Sequence, residues 1–183
     1  MKSYKSISES EIIYSELMVP HYANFGGKVH GGRVLLIMDN VAFTVATKHA
    51  SSYCVTASVE GVDFLAPVEV GTLLVIKSRV NYTGNTSMII GMRVETHNPI
   101  TGKIIHTNSS YFTMVSIDQE SKKPKKTPGV LISDEEDLRR FCEGIQIKKS
   151  SIEKRNILKS DLSGFSQKEL HQMVKNENCK MQG

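Results

Sequence analysis

His30-Gly31-Gly32-Arg33-Val34-Leu35-Leu36-Ile37-Met38-Asp39-Asn40-Val41-Ala42-Phe43-Thr44-Val45-Ala46-Thr47-Lys48-His49-Ala50 is the longest apolar run at helical spacing in the chain, and two glycines open it. At about 100° per residue, Arg33, Asn40, Thr44, Thr47 and Lys48 share one arc. Leu35, Met38, Ala42, Val45 and Ala46 share the other. Asp39 does not join the polar arc. It falls among Leu35, Ala42, Phe43 and Ala46, on the face expected to be buried. A carboxylate taken out of water must find donors, find a counter-charge or shift its pKa. Such groups serve as catalytic carboxylates or as structural ones at a loop or a subunit boundary. The helix alone leaves both readings open.

Upstream, residues 10–19 read as a strand stopped by Pro20. The turn-rich stretch His21-Tyr22-Ala23-Asn24-Phe25-Gly26-Gly27-Lys28-Val29 then runs into His30 and the glycines. Free N–H groups at a glycine-opened helix start favour negative charge and let another group approach the backbone closely. Downstream the period changes from 3.6 to 2. Cys54 to Phe64 reads as a strand with a bulge at Glu60-Gly61, and two further strands flank the turn Gly84-Asn85-Thr86. A last strand is expected from about Lys103 to Ile117. Neighbouring strands joined by short turns pair antiparallel, and a helix apolar nearly all round must be wrapped by them. The expected class is α+β, a curled antiparallel sheet around one long central helix.

Ser121-Lys122-Lys123-Pro124-Lys125-Lys126-Thr127 reads as a basic linker, which divides the chain into 1–120 and a helical extension, 121–183. In that extension Ser133 and Glu136 have capping-box spacing, opening a helix expected to run to about Lys149. Ser166 to Val174 is the clearest of the short helices beyond it.

The chain has 183 residues and a net charge of +4, and the excess is local. Residues 1–120 hold 9 Lys and Arg against 10 Asp and Glu, while 121–183 hold 14 against 9. No nucleic-acid module accompanies this basic end, so a solvated surface is expected and nucleic acid is not. No apolar run is long enough to span a membrane, and the first residues do not read as a signal peptide. Cys54, Cys142 and Cys179 are odd in number and scattered, as reduced thiols of a cytoplasmic protein are. His21, His49, His97, His106 and His171 lack metal spacing, and no Gly-x-Ser-x-Gly elbow occurs.

Several pieces in order resemble the hot-dog-fold acyl-CoA thioesterases, in particular the YciA-like and cytosolic acyl-CoA hydrolase branch. They are 24–32 with Met38-Asp39, then Thr56-Ala57-Ser58-Val59-Glu60-Gly61-Val62-Asp63-Phe64, Pro67 with Val70-Gly71, and Tyr82-Thr83-Gly84-Asn85-Thr86-Ser87. The resemblance implies hydrolysis of acyl-CoA to a carboxylic acid and coenzyme A, with Asp39 as general base or nucleophile. It implies that Asn24 is the partner of Asp39 across a dimer interface. The N–H groups of Gly32 and Gly31 would hold the thioester oxygen, as preorganised donors do for a developing oxyanion. His30, Ser58, Thr86 and Ser87 would touch the substrate. Asn85 stands where relatives often carry a basic residue, so Arg79, Arg93, Lys77 and Lys103 are the substitute contacts for the coenzyme phosphates. No cofactor and no metal are implied, since coenzyme A belongs to the substrate. A homo-oligomer is implied, with a dimer unit in a trimer of dimers. Two other readings stay open: a non-catalytic acyl-CoA sensor, and a hot-dog hydratase or dehydratase, which needs a histidine beside the carboxylate and has only His30 nearby.

Overall fold

The computed structural model describes residues 3–159, 164–175 and 178–179. Two compact units divide it, Met1–Lys148 and Lys149–Gly183. The first holds seven strands: β1 (Tyr4–Ser6), β2 (Ile12–Leu17), β3 (Cys54–Glu60), β4 (Leu73–Thr83), β5 (Ser87–His97), β6 (Ile104–Ser116) and β7 (Gly129–Leu131). Helix α1 (Gly31–Ala50) follows β2, and α2 (Glu135–Lys159) begins after β7. In the second unit, α3 (Gln167–Val174) is capped by Ser166, whose hydroxyl accepts from the Glu169 N–H while the Glu169 carboxylate returns to the Ser166 N–H.

Five strands form one antiparallel sheet in the order β2-β4-β5-β6-β3, and β1 pairs with β7 in a separate parallel ribbon. Alternation sends Leu74, Ile76, Val80, Met88, Ile90, Val94, Phe112 and Met114 inward, where α1 meets them with Val34, Ile37, Met38, Val41, Ala42 and Val45. All of these are buried. The expected α+β curl around a central helix is present, with the helical extension following it.

Some expectations need correction. The bulge in β3 is not at Glu60-Gly61; the register with β6 shifts between Thr56 and Ser58. Gly61 instead ends the strand with a φ of +60°, a conformation that glycine adopts without strain. The basic stretch after β6 is no domain linker. Its backbone returns to the sheet through Lys125 N–H to Ser116 O (2.8 Å) and Thr127 N–H to Asn85 O (2.9 Å), so the first unit runs on to Lys148. Asp134, not Ser133, caps α2: its carboxylate accepts from the Asp137 N–H at 2.7 Å, and Asp137 accepts from the Ser133 N–H at 3.1 Å. Asp137 also bonds Arg79, while Glu136 pairs with Arg139 and Arg140 in its own helix. The α1 face carrying Asp39 is only partly covered, with Leu35 at 37% and Phe43 at 38% exposure.

His49, at the C-terminal end of α1, has no exposed surface. Its Nε2 lies 3.4 Å from the Pro128 carbonyl and its Nδ1 has no partner. Burial holds its pKa below the ordinary histidine value, against the pull of that carbonyl. The unfolded chain therefore binds a proton that the folded one refuses, and this stability is lost as pH falls below about 6.5. The melting temperature of the wild type should drop further between pH 7.5 and 5.5 than that of a His49→Gln variant. Parallel thermal scans by circular dichroism check it.

Candidate active site

Asp39 lies midway along α1 and is half-buried. Thr56, the residue just before the β3 bulge, aims its hydroxyl at this carboxylate: Oγ1 donates to Asp39 Oδ1 at 2.6 Å. A bulge twists a strand and re-aims the side chains beside it, and here it lets an edge strand hand a hydroxyl to the helix. The same hydroxyl lies 3.4 Å from the Met114 sulfur. Thr56 belonged to a recognisable sequence stretch, yet only the contact shows which of its residues reaches the carboxylate. No sequence spacing announces a pair seventeen residues apart on a helix and a strand.

Asn24 sits in the loop before α1. Its side-chain oxygen accepts from the Gly26 N–H (2.9 Å) and the Lys28 N–H (3.2 Å), folding 24–28 into a tight turn. Asn24 N–H also donates to Lys28 O at 2.7 Å, and Ala23 bridges Val29 below it. With its oxygen so engaged, the Asn24 amide is left to present its Nδ2 donors, while the residue as a whole is exposed. The loop forms one wall of a cavity of about 330 Å³ lined also by Gly31, Val34, Phe64, Pro67 and Val68.

Gly31 and Gly32 occupy the first turn of α1, where N–H groups have no acceptor within the helix. His30 precedes them as N-cap, exposed, and makes no side-chain cap bond. The first turn holds no acidic residue. A Cβ on Gly31 would rest 3.5 Å from the Phe64 ring, and one on Gly32 would meet nothing nearer than 4.0 Å. Neither glycine is required for packing or for a positive φ.

The remaining expected contacts are spread elsewhere. Ser58 Oγ donates to Glu60 at 2.5 Å. Thr86 and Ser87 stand at the β4–β5 turn, where their carbonyls accept from Ser116 and Gly84. Arg79 and Arg93 line a separate cavity of about 380 Å³ with Lys77, Asn81 and Tyr111, and neither lines the Asn24 cavity. Their charges are already engaged: Arg79 pairs with Asp137, while Arg93 (2.7 Å) and Lys77 (2.8 Å) both pair with Glu95. The Lys77 ammonium and then the Arg93 guanidinium hold the Glu95 carboxyl at about 2. No group of His, Cys, Asp and Glu able to hold a metal occurs among the described residues.

The Thioesterase superfamily profile matches residues 26–103, the span from the Asn24 loop through β5. A solved hexameric acyl-CoA thioesterase is 37% identical and superposes with a TM-score of 0.80, covering 85% of this chain and 98% of its own. The chain belongs to the hot-dog thioesterase superfamily. Protein VdlD of Helicobacter pylori is 40% identical over 151 residues, covering 82% of this chain and 84% of its own. An acyl-CoA hydrolase of Staphylococcus aureus, solved with butyryl coenzyme A and coenzyme A, is 30% identical with a TM-score of 0.79 and covers 85% of this chain and 94% of its own. That hydrolase has also been solved with an Asn, an Asp and a Thr replaced in turn by Ala, at positions fifteen and then seventeen residues apart.

In this thioesterase-superfamily chain, Gly31→Ala and Gly32→Ala should both fold. Alanine in an exposed helix turn is favoured over glycine by about 1 kcal/mol, so melting temperatures should match or slightly exceed wild type in thermal scans. A fall of several degrees would mean that the glycines serve packing and not access to the turn.

Proposed function

We propose that the chain hydrolyses acyl-CoA thioesters to the free acid and coenzyme A. The observation that carries this reading is the trio Asn24, Asp39 and Thr56. They stand fifteen and seventeen residues apart here, in the order and spacing of the Asn, Asp and Thr altered in the coenzyme A-bound Staphylococcus aureus hydrolase. The Thr56–Asp39 hydrogen bond of 2.6 Å supports treating them as one apparatus.

In this mechanism Asp39 acts as general base. It takes a proton from a water whose oxygen attacks the thioester carbonyl carbon, and the carbonyl oxygen becomes an oxyanion. Gly32 and Gly31 N–H groups, fixed at the positive end of α1, receive that charge without reorganising. As the tetrahedral carbon collapses, the C–S bond breaks, the sulfur takes the proton and coenzyme A leaves. Thr56 orients the carboxylate through its 2.6 Å hydrogen bond to Oδ1. Asn24 offers its Nδ2 donors to the water or the thioester.

Asp39 does not line the cavity that Asn24 and Gly31 share. The site is therefore read as composite, completed by a second copy of the chain. The incompletely covered α1 face with Leu35, Leu36 and Phe43, the exposed Tyr53 and Val59, and the unpaired edge of β3 support that copy. Dimers assembled by threes would match the hexameric relative. The scattered free thiols, together with the lack among the described residues of any helix long and apolar enough to cross a membrane, fit work in the cytoplasm.

Free coenzyme A released from short, medium and long acyl-CoAs tests the reading. Asp39→Asn, folded by circular dichroism, should lose about a hundredfold or more in kcat, the usual size for a lost general base. Thr56→Val should lose about tenfold, the equivalent of a roughly 1.5 kcal/mol hydrogen bond to a charged group. Wild-type protein that binds acyl-CoA and turns over none of the panel would establish a sensor in place of an enzyme.

A further inference from the structure

A second polar cluster lies behind the glycine turn and has no part in the chemistry above. Arg33, the third residue of α1, reaches back to β2 and to the turn at Pro20–Tyr22. Its Nη2 donates to Glu16 Oε1 at 2.8 Å and to the Tyr22 hydroxyl at 3.0 Å, while its guanidinium carbon stacks 4.2 Å from the centre of the Tyr22 ring. The Tyr22 hydroxyl donates to Glu16 Oε1 at 2.8 Å, and that of Tyr14 donates to Oε2 at 2.6 Å. Glu16 thus accepts from three side chains, one from each element that converges there.

Burial works to raise the Glu16 carboxyl, but the Tyr14 and Tyr22 hydroxyls and the Arg33 guanidinium outweigh it and hold the group below its ordinary value. The hydrogen bond to Glu16 pushes the Tyr14 hydroxyl up to about 12. One carboxylate held by three donors from three elements makes the cluster a fixed brace.

The backbone shows what it braces. Tyr22 O accepts from the His30 N–H at 2.8 Å, across the mouth of the loop that carries Asn24. Ala23 and Val29 close the same loop one step further in. One residue, Tyr22, therefore holds the loop base by its carbonyl and the first turn of α1 by its ring and hydroxyl. We propose that Arg33, clamped by Glu16 and Tyr22, is a positioning residue that sets the Asn24 loop against the Gly31–Gly32 turn. The proposal rests on the hydrolase reading for the roles of Asn24 and the glycines. It adds that their mutual placement is maintained from outside the site, by an ion pair that touches neither substrate nor Asp39.

Arg33→Met, Arg33→Lys, Glu16→Gln and Tyr22→Phe test it through coenzyme A release and amide hydrogen exchange on the full chain. Arg33→Met should lower kcat about tenfold with KM within a factor of two, since positioning acts on the transition state and not on uniform binding. Arg33→Lys, which keeps the charge facing Glu16, should recover part of the loss. In an Asn24→Ala background, Arg33→Met should cost less than about twofold more, because residues acting through one another do not add. The amides of Gly26, Lys28 and His30 should exchange about tenfold faster in Arg33→Met while those of β4 and β5 keep wild-type rates, the signature of local opening. Tyr22→Phe removes one hydroxyl and leaves the stack, and keeps the test in hand if Arg33→Met does not fold. Unchanged exchange at the three amides overturns the proposal, and so does a kcat loss that multiplies in full with that of Asn24→Ala. Wild type that releases no coenzyme A sinks the hydrolase reading, and the exchange rates then decide on the brace alone.

Discussion

Val34, Ile37, Met38, Val41, Ala42 and Val45 pack α1 into the hollow of β4, β5 and β6, and this contact orders the rest of the chain. A helix has a circumference, and one curled sheet covers only part of it. The residues that face the sheet are fully buried. Those turned aside, Leu35, Leu36 and Phe43, stay open. Asp39 falls on the boundary between the two. A carboxylate deep in the core would have to find full compensation or stay protonated, and one on the open face would be wholly hydrated. On the boundary it takes a single short hydrogen bond from Thr56 and still has an open side.

β3 completes that boundary. It closes one edge of the sheet, and among the described residues it pairs with β6 alone. The register shift after Thr56 sits on this edge strand, beside the residue whose hydroxyl reaches Asp39. The opposite edge strand, β2, carries Glu16 and Tyr14 and reaches α1 at its first turn. The two sheet edges thus hold the two ends of the apparatus in the hydrolysis we propose: β3 the carboxylate, and β2 the glycine turn.

The period change from 3.6 to 2, the turn residues and the uninterrupted apolar run of α1 made the curled sheet and central helix legible in the chain alone. The fate of individual faces was not. Leu35 and Phe43 look like core by periodicity, because period reports that a face is apolar and not whether one copy or two will cover it. The bulge was misplaced at Glu60-Gly61 because glycine is the usual signal, whereas Ala57 is the residue the register skips. Asp39, Asn24 and the two glycines stood out by type and position. Thr56 and the Glu16–Arg33 clamp did not, since both join residues seventeen apart through side-chain direction. Arg79 and Arg93 were visible as charges, but Asp137 and Glu95 had to be placed in space before those charges could be recognised as engaged.

That pattern of engagement bears on how an anion would be received. Arg33 is neutralised by Glu16, Arg79 by Asp137, and Lys77 with Arg93 converge on Glu95. The N-terminal turn of α1 contains no acidic side chain, and its glycines project nothing that would shield the backbone. With Arg33 paired to Glu16, the first turn of α1 presents its backbone N–H groups with no unpaired side-chain charge of its own. A mobile cation there would grip any phosphate or carboxylate in the ground state and would have to reorganise as charge developed on a thioester oxygen. In the hydrolysis we propose, peptide N–H groups are already aligned and need not reorganise as the oxyanion forms. In that proposed role the pairing of Arg33 with Glu16 belongs to the site as the glycines do, because it leaves the first turn to present backbone donors alone.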